Sequence, residues 1–268
     1  MRIAEVSDPD AINGIVPIIK SAWGFENLDG LIKDIAVAMK FHGGTVIGAY
    51  DGEALIGMSF GFPGRRKNHN YFYSHMTGVL ENRKYSGIGY QLKMYQKEWA
   101  RKQGYDLVAW TYDPLMSMNA GFNIHKIGAF ARTYINNFYG RMEDRINSGM
   151  RSDRLVAELW IDYERPEIDD SGTTILDRTG NIKGDLQIIG MNESAVRVYV
   201  PGNFRAVRES SMEQAIRWRD SSEKVMRFLF AHGFVAVDFR TGKDYYIFSR
   251  DSFLQEKMRE NIFEQQFF

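Results

Sequence analysis

Cysteine is absent from all 268 residues. That excludes a disulfide framework, a thiol nucleophile and a zinc ribbon. An excess of charge of either sign is also missing, because Lys plus Arg total 34 and Asp plus Glu total 34. A protein that grips nucleic acid through bulk charge would not show this balance, so no nucleic-acid partner is expected. No apolar run approaches the roughly 20 residues needed to cross a bilayer. The start, Met1-Arg2-Ile3-Ala4-Glu5-Val6, lacks the apolar centre of a secretory leader. The expectation is a soluble cytoplasmic protein without a membrane partner. His42, His69, His125 and His232 show no ligand spacing, and no metal is expected.

What is present suffices for a packed interior. Hydrophobic residues make up 44% and charged residues 25%, so wholesale disorder is not expected. The length fits one large or two small domains.

The most informative stretch covers residues 71–104. It opens as a strand, with Tyr71, Tyr73, Thr77 and Val79 as its aromatic and β-branched residues. A polar turn, Glu81-Asn82-Arg83-Lys84, leads into Ser86-Gly87-Ile88-Gly89. Helical spacing follows, with Leu92, Met94, Tyr95 and Trp99 as the larger apolar residues, and Gly104 closes the run. Strand, glycine turn and helix start together make an anion cradle. First-turn N–H groups lack partners, and glycine lets a phosphate approach the backbone. A tight turn without a ligand fits the same residues. No G-K-[ST] follows, so this is not a Walker A loop, and a dinucleotide fingerprint would need a third glycine and an acidic residue at a second strand end.

This segment resembles motif A of the GCN5-related N-acetyltransferase (GNAT) superfamily, V-x-x-x-x-[RQ]-x-x-G-x-[GA]. Val79, Gly87 and Gly89 fall in register, and Lys84 stands where the family prefers Arg or Gln. The resemblance implies acetyl-CoA as acyl donor and an amine as acceptor. It places the pyrophosphate on amides of residues 85–90 and the pantetheine beside the backbone of residues 77–79. The implied contacts are Thr77, Gly78, Val79, Lys84, Tyr85, Ser86, Gly87, Ile88, Gly89 and Tyr90. It also implies that the N–H of Val79 polarises the thioester carbonyl.

The order of elements agrees. A strand over residues 2–6 is followed by a helix capped by Ser7 or Asp8 and a second helix over 28–41. Strands are expected over 45–50 and 54–62, joined by Asp51-Gly52. Residues 61–70 read as a loop carrying the basic run Arg65-Arg66-Lys67 with His69, either solvated or facing an anion. Strand 71–80 leads into the cradle, then come a strand over 106–111, a helix over 116–127 and a strand from 129.

A second segment is similar to the family pattern N-x-x-A-x-x-L-Y-x-K-x-G-F. Ala120, Lys126 and Gly128 match, Ser117 occupies the usual Asn position with Asn119 two residues on, and Ile124 occupies the usual Tyr position. The familiar leaving-group acid is therefore missing from its slot. Ser74-His75-Met76, Trp110-Thr111-Tyr112-Asp113-Pro114-Leu115, Asn137-Phe138-Tyr139-Gly140 and Ser152-Asp153-Arg154-Leu155 resemble a little-characterised prokaryotic subgroup. The implied fold is α/β (α+β), a mixed and mostly antiparallel central sheet flanked by helices, with a smaller C-terminal α+β subdomain.

Residues 1–162 are read as the acyl-CoA-binding domain, 163–185 as a linker or irregular segment, and 186–268 as an accessory subdomain of order ββαββα. In it, strands are expected over 186–191 and 195–200, a long helix over 212–232, a hairpin over 234–250 and a final helix from 251. The apolar ending Phe263-Glu264-Gln265-Gln266-Phe267-Phe268 packs either within the chain or against a second copy as a homodimer.

Acetyl transfer needs a polarised carbonyl, a neutral amine and a proton for the departing thiolate. By alternation, Tyr73, His75 and Thr77 share one strand face. His75 is either the general base or a half-buried strand residue bonded to a neighbour. Tyr73 lies beside it on the acceptor side. Asp113 either attracts an amine or shapes the turn before Pro114. Tyr139 either replaces the missing tyrosine acid or packs over the cleft, and Asn119 fits a bond to coenzyme A or a helix-surface role. Two functions suit these residues: an acetyl-CoA-dependent N-acetyltransferase, or a non-catalytic acyl-CoA-binding module that regulates or scaffolds.

Overall fold

The computed structural model describes residues 1–24, 31–83, 87–140, 149–165, 167–168, 170–250, 252 and 254–264. The described residues of Met1–Trp110 and Trp160–Asp162 form one compact unit. Those of Thr111–Met142, Gly149–Leu159 and Tyr163–Phe268 form another.

In the first unit the chain runs β1 (Arg2–Glu5), α1 (Pro9–Ile12), α2 (Ile15–Trp23), α3 (Leu31–Phe41), β2 (Thr45–Asp51), β3 (Ala54–Arg66), β4 (His69–Val79), α4 (Ile88–Lys102) and β5 (Leu107–Tyr112). Asp8 caps α1 by accepting from the Asp10 N–H, and Pro9 takes the first helical position. The sheet order is β1-β2-β3-β4-β5. The first three pairings are antiparallel and β4–β5 is parallel. Alternation along β2 feeds two cores. Val46 joins Ile12, Ile15, Ile19 and Phe60 against α1 and α2. Ile47 joins Ile56, Ile88 and Leu92 against α4.

The loop expected over residues 61–70 is instead a β-arm. β3 and β4 stay paired out to Arg66 opposite His69, and Lys67 turns the chain at a φ of 49°. Gly61 and Gly64 read as breakers but serve the pairing. A Cβ on Gly61 would come within 2.7 Å of the Phe72 ring, and one on Gly64 within 2.5 Å of the Tyr71 ring. Each glycine makes room for a cross-strand aromatic.

The second unit contains α5 (Ser117–Ala120), a π-helical turn (Gly121–Lys126), β6 (Phe130–Ile135), β7 (Arg154–Trp160), β8 (Thr173–Leu176), α6 (Leu186–Asn192), β9 (Ala195–Tyr199), α7 (Phe204–Ser210), α8 (Met212–Ala231), β10 (Phe234–Arg240), β11 (Tyr245–Arg250) and α9 (Glu256–Arg259). Its strands are ordered β7-β6-β10-β11-β9-β8, antiparallel except for β8 with β9. The inner side of α8 buries Ala215, Trp218, Val225, Met226 and Leu229.

Four expectations are corrected here. Residues 186–191 are helical, because Asp185 caps α6 by accepting from the Gln187 N–H. That removes the ββαββα order. The irregular segment contains β8, tied to β9. The helix expected over 116–127 is four α-helical residues and a wide π turn, entered at Gly121, where a Cβ would meet Thr241 Oγ1 at 2.5 Å. At the C-terminal end only Glu256–Arg259 is α-helical among the described residues, and Phe263 is buried. Both units are helices packed on mixed, mostly antiparallel sheets, the α/β class expected. Among the described residues no helix is long and apolar enough to cross a membrane.

Candidate functional site

β4 is paired to β3 along its whole length but to β5 at only two positions, Phe72 with Val108 and Tyr73 with Ala109. Beyond Tyr73, residues 74–79 have no ladder partner on the β5 side among the described residues. The Leu80 N–H donates to the Ile56 carbonyl on β3 at 3.0 Å. Backbone polar groups alternate sides along a strand, so Val79 and Thr77 turn their N–H and C=O groups toward the open edge. An extended ligand can add there as a strand would.

The edge runs into the start of α4. Gly87 is its N-cap, with φ 82°, and no side chain caps the helix. A Cβ on Gly87 would meet nothing within 4 Å, so conformation and not crowding requires glycine there. First-turn N–H groups and the helix dipole favour an anion at this position. The helix start is seated by Ile88, which is buried, and by Gly57 on β3, where a Cβ would lie 3.0 Å from Ile88 and 3.2 Å from Leu92. Gly89 and Tyr90 follow in the first turn. Lys84, Tyr85 and Ser86 lie outside the described residues. Gly78 is buried under α2, since a Cβ would stand 2.8 Å from the Trp23 ring. By the alternation just described, its N–H and C=O turn toward Met58 on β3 and not toward the open edge.

A β-bulge interrupts β4 at His75. Phe60 pairs with Met76 and Gly61 with Ser74, which leaves His75 as the extra residue. The bulge undoes the expected alternation. Thr77 Oγ1 lies 2.8 Å from Ser59 Oγ, which accepts from Gln96 of α4, so Thr77 faces α4. His75 turns to the other face, where its ring meets Phe60 at 5.3 Å, Phe62 at 5.9 Å and Tyr73 at 6.0 Å. Tyr73 and His75 are thus brought together, and Thr77 is not. The imidazole makes no hydrogen bond to a described residue. One side of it is exposed, while the aromatic rings keep water from the rest, and this desolvation holds its pKa below 6.5.

Sequence reasoning missed Lys93. It lies on the inner face of α4 and is 4% exposed. Its Nζ donates to Ser74 Oγ at 2.7 Å and sits 3.7 Å from the centre of the Trp110 ring. Burial lowers its pKa to about 7. The available signal was positional: Lys93 falls between Leu92 and Gln96 in the buried stripe of the helix.

The second unit holds the remaining predicted residues. Both carboxylate oxygens of Asp113 accept from Arg219 at 2.7 Å, and Oδ1 also accepts from the Leu115 N–H. Burial works to raise its pKa, but Arg219 and, more distantly, Arg154 outweigh it and hold the carboxyl below 3.8. Asp113 thus binds the turn at Leu115 through Oδ1 and Arg219 through both oxygens. Tyr139 is 43% exposed, with its hydroxyl 3.4 Å from Thr111 Oγ1 and Arg154 over its ring. Asn119 is exposed on α5. Ser117 is buried and donates to Asp244, and Ile124 is wholly buried in the π turn. Among the described residues no cluster of three or more His, Asp or Glu side chains is suited to a metal ion.

No family model matches the sequence. No curated protein matches it either. Several solved acetyltransferases have a similar backbone. An aminoglycoside 6'-N-acetyltransferase from Enterococcus faecium is 16% identical over 62% of this chain and 100% of its own, with a TM-score of 0.45. The IAA acetyltransferase from Bacillus cereus ATCC 14579 is 17% identical over 59% and 98%, with a TM-score of 0.47. The protein yncA from Salmonella typhimurium, solved with acetyl-CoA, is 16% identical over 63% and 98%, with a TM-score of 0.49. All three are distant likenesses.

Proposed function

We propose that this chain is an acetyl-CoA-dependent N-acyltransferase of the GCN5-related kind, moving an acetyl group to the amine of a small molecule or peptide by direct attack on the thioester. The observation that carries this reading is the open edge of β4 leading into the uncapped, glycine-led start of α4. A diphosphate fits the helix start, and an extended amide-bearing arm fits the edge. In this reading the Val79 N–H, which points into the edge, polarises the thioester carbonyl. His75, next to Tyr73 and held neutral by its surroundings, takes the proton that the attacking amine sheds. The acyl-CoA-binding role is assigned to residues 1–162, and an accessory role to 186–268.

Titration calorimetry with acetyl-CoA tests the binding half. Gly87→Asp should abolish the heat, because it puts a carboxylate where the diphosphate sits and a side chain where φ is positive. Unchanged binding in that variant would overturn the reading. A second function, acyl-CoA binding without catalysis, draws on Ile124, which fills the usual tyrosine slot with a core residue. Coenzyme A release with a panel of aliphatic, aromatic and peptide amines separates the two: binding without release from any of them favours the module.

A further inference from the structure

The buried charges of the second unit are paired: Arg132 with Glu158, Arg219 and Arg154 with Asp113, Asp153 with Arg151, and Asp238 with Arg165. Lys93 has no acidic partner among the described residues. Its position explains what it faces. The β4–β5 ladder ends at Tyr73 with Ala109, and the next residue on each strand, Ser74 and Trp110, is the one that holds Lys93 Nζ. The ammonium therefore sits where the β4–β5 ladder stops, one residue past its last pair on each strand. An arm laid along residues 74–79 from a diphosphate at Gly87 would cover about 20 Å of strand, at roughly 3.3 Å per residue, and end beside Lys93.

We propose that Lys93 is the general acid for the departing thiolate, a role that rests on the acyltransferase reading above. The amine nitrogen bonds the carbonyl carbon and gives its proton to His75. The carbon–sulfur bond breaks, and sulfur takes a proton from Lys93 Nζ, leaving the amine neutral. His75 then releases its proton to solvent, and Lys93 regains one when coenzyme A leaves. Ser74 orients the ammonium and is a positioning residue.

The elements packed on Lys93 bring few competing charges. β4 offers Ser74, with His75 on the opposite face. β3 offers Ser59, engaged with Thr77 and Gln96. β5 offers Trp110, and on α4 itself Lys97 follows one turn later. The rate should accordingly fall on the alkaline side as Lys93 deprotonates near pH 7.

The decisive measurement does not need the acceptor. Coenzyme A, with its free thiol, is bound to the wild-type protein and to Lys93→Met, and the thiol is titrated by the ultraviolet absorbance of the thiolate. In the wild type the bound thiol should ionise about 1–3 units lower than in Lys93→Met, the effect of a cation within reach of sulfur. The ζ resonances of Lys93 in the wild-type protein provide a check that no substitution can spoil. Their midpoint should rise with coenzyme A relative to acetyl-CoA and desulfo-coenzyme A. Equal midpoints with all three, or equal thiol titrations in the two proteins, would overturn the assignment to Lys93 alone. Failure of coenzyme A to bind the wild type would overturn the acyltransferase reading and this one with it.

Discussion

At His75, packing and chemistry pull in the same direction. The rings of Phe60, Phe62 and Tyr73 keep water from part of the imidazole, so its charged form is disfavoured and the neutral, proton-accepting form persists below pH 6.5. The acid side of the pH–rate profile should therefore lie below 6.5. His75→Gln should lower kcat/KM by about 10²–10⁴-fold, the usual worth of a general base. It should leave acetyl-CoA affinity unchanged by calorimetry, since the ring faces away from the α4 side of β4. The same shift has a stability sign. Unfolding exposes a histidine that takes up a proton at 6.5, whereas the folded state declines it. The contribution is complete above 6.5 and fades as pH falls below that value.

At the scale of elements, the approach of α4 to the sheet depends on Gly57. A side chain there meets Ile88 and Leu92 at close range. Gly57→Val should cost about 1–3 kcal/mol in urea unfolding, the usual price of overpacking. It should also weaken acetyl-CoA binding, because it tilts the helix start that would hold the diphosphate. The presence of that helix start was legible from residues 71–104, since Gly87, Gly89 and the apolar spacing after them are local signals. The arm beyond Gly61 was not. Gly61, Pro63 and Gly64 look like loop residues until Phe72 and Tyr71 are laid across them, and cross-strand partners leave no mark in local spacing. The bulge at His75 escaped for the same reason, and it reversed the face assigned to Thr77. α6 escaped because Leu186-Gln187-Ile188-Ile189 is short and apolar enough to pass for a strand, although Asp185 was a legible cap. Tyr139 and Asn119 were read through a family pattern that this chain follows only in part, with Ser117 committed to Asp244 and Ile124 to the core.

At the scale of the whole molecule, each compact unit carries its own interior, and the second is pinned by a buried polar network. Arg219 holds both oxygens of Asp113, and Asp153 accepts from the Tyr134 hydroxyl at 2.7 Å. Removing one member strands a buried charge. Arg219→Met should destabilise the protein by about 3–5 kcal/mol in denaturant unfolding, more than any surface ion pair would. The acid response follows from the depressed pKa of Asp113. Its stabilisation is present above 3.8 and is lost as pH falls from 3.8 through the folded-state value, where the native carboxylate finally takes up its proton.

The stretch of β4 that lacks a second ladder partner among the described residues carries one more consequence. Bare main-chain donors and acceptors cannot tell a pantetheine arm from a stray peptide, and an exposed strand is a template for either. A molecule of acetyl-CoA in that slot would act as a stopper as well as a reagent. Emptied of it, the protein offers any extended neighbour, including its own unfolded copies, a place to dock.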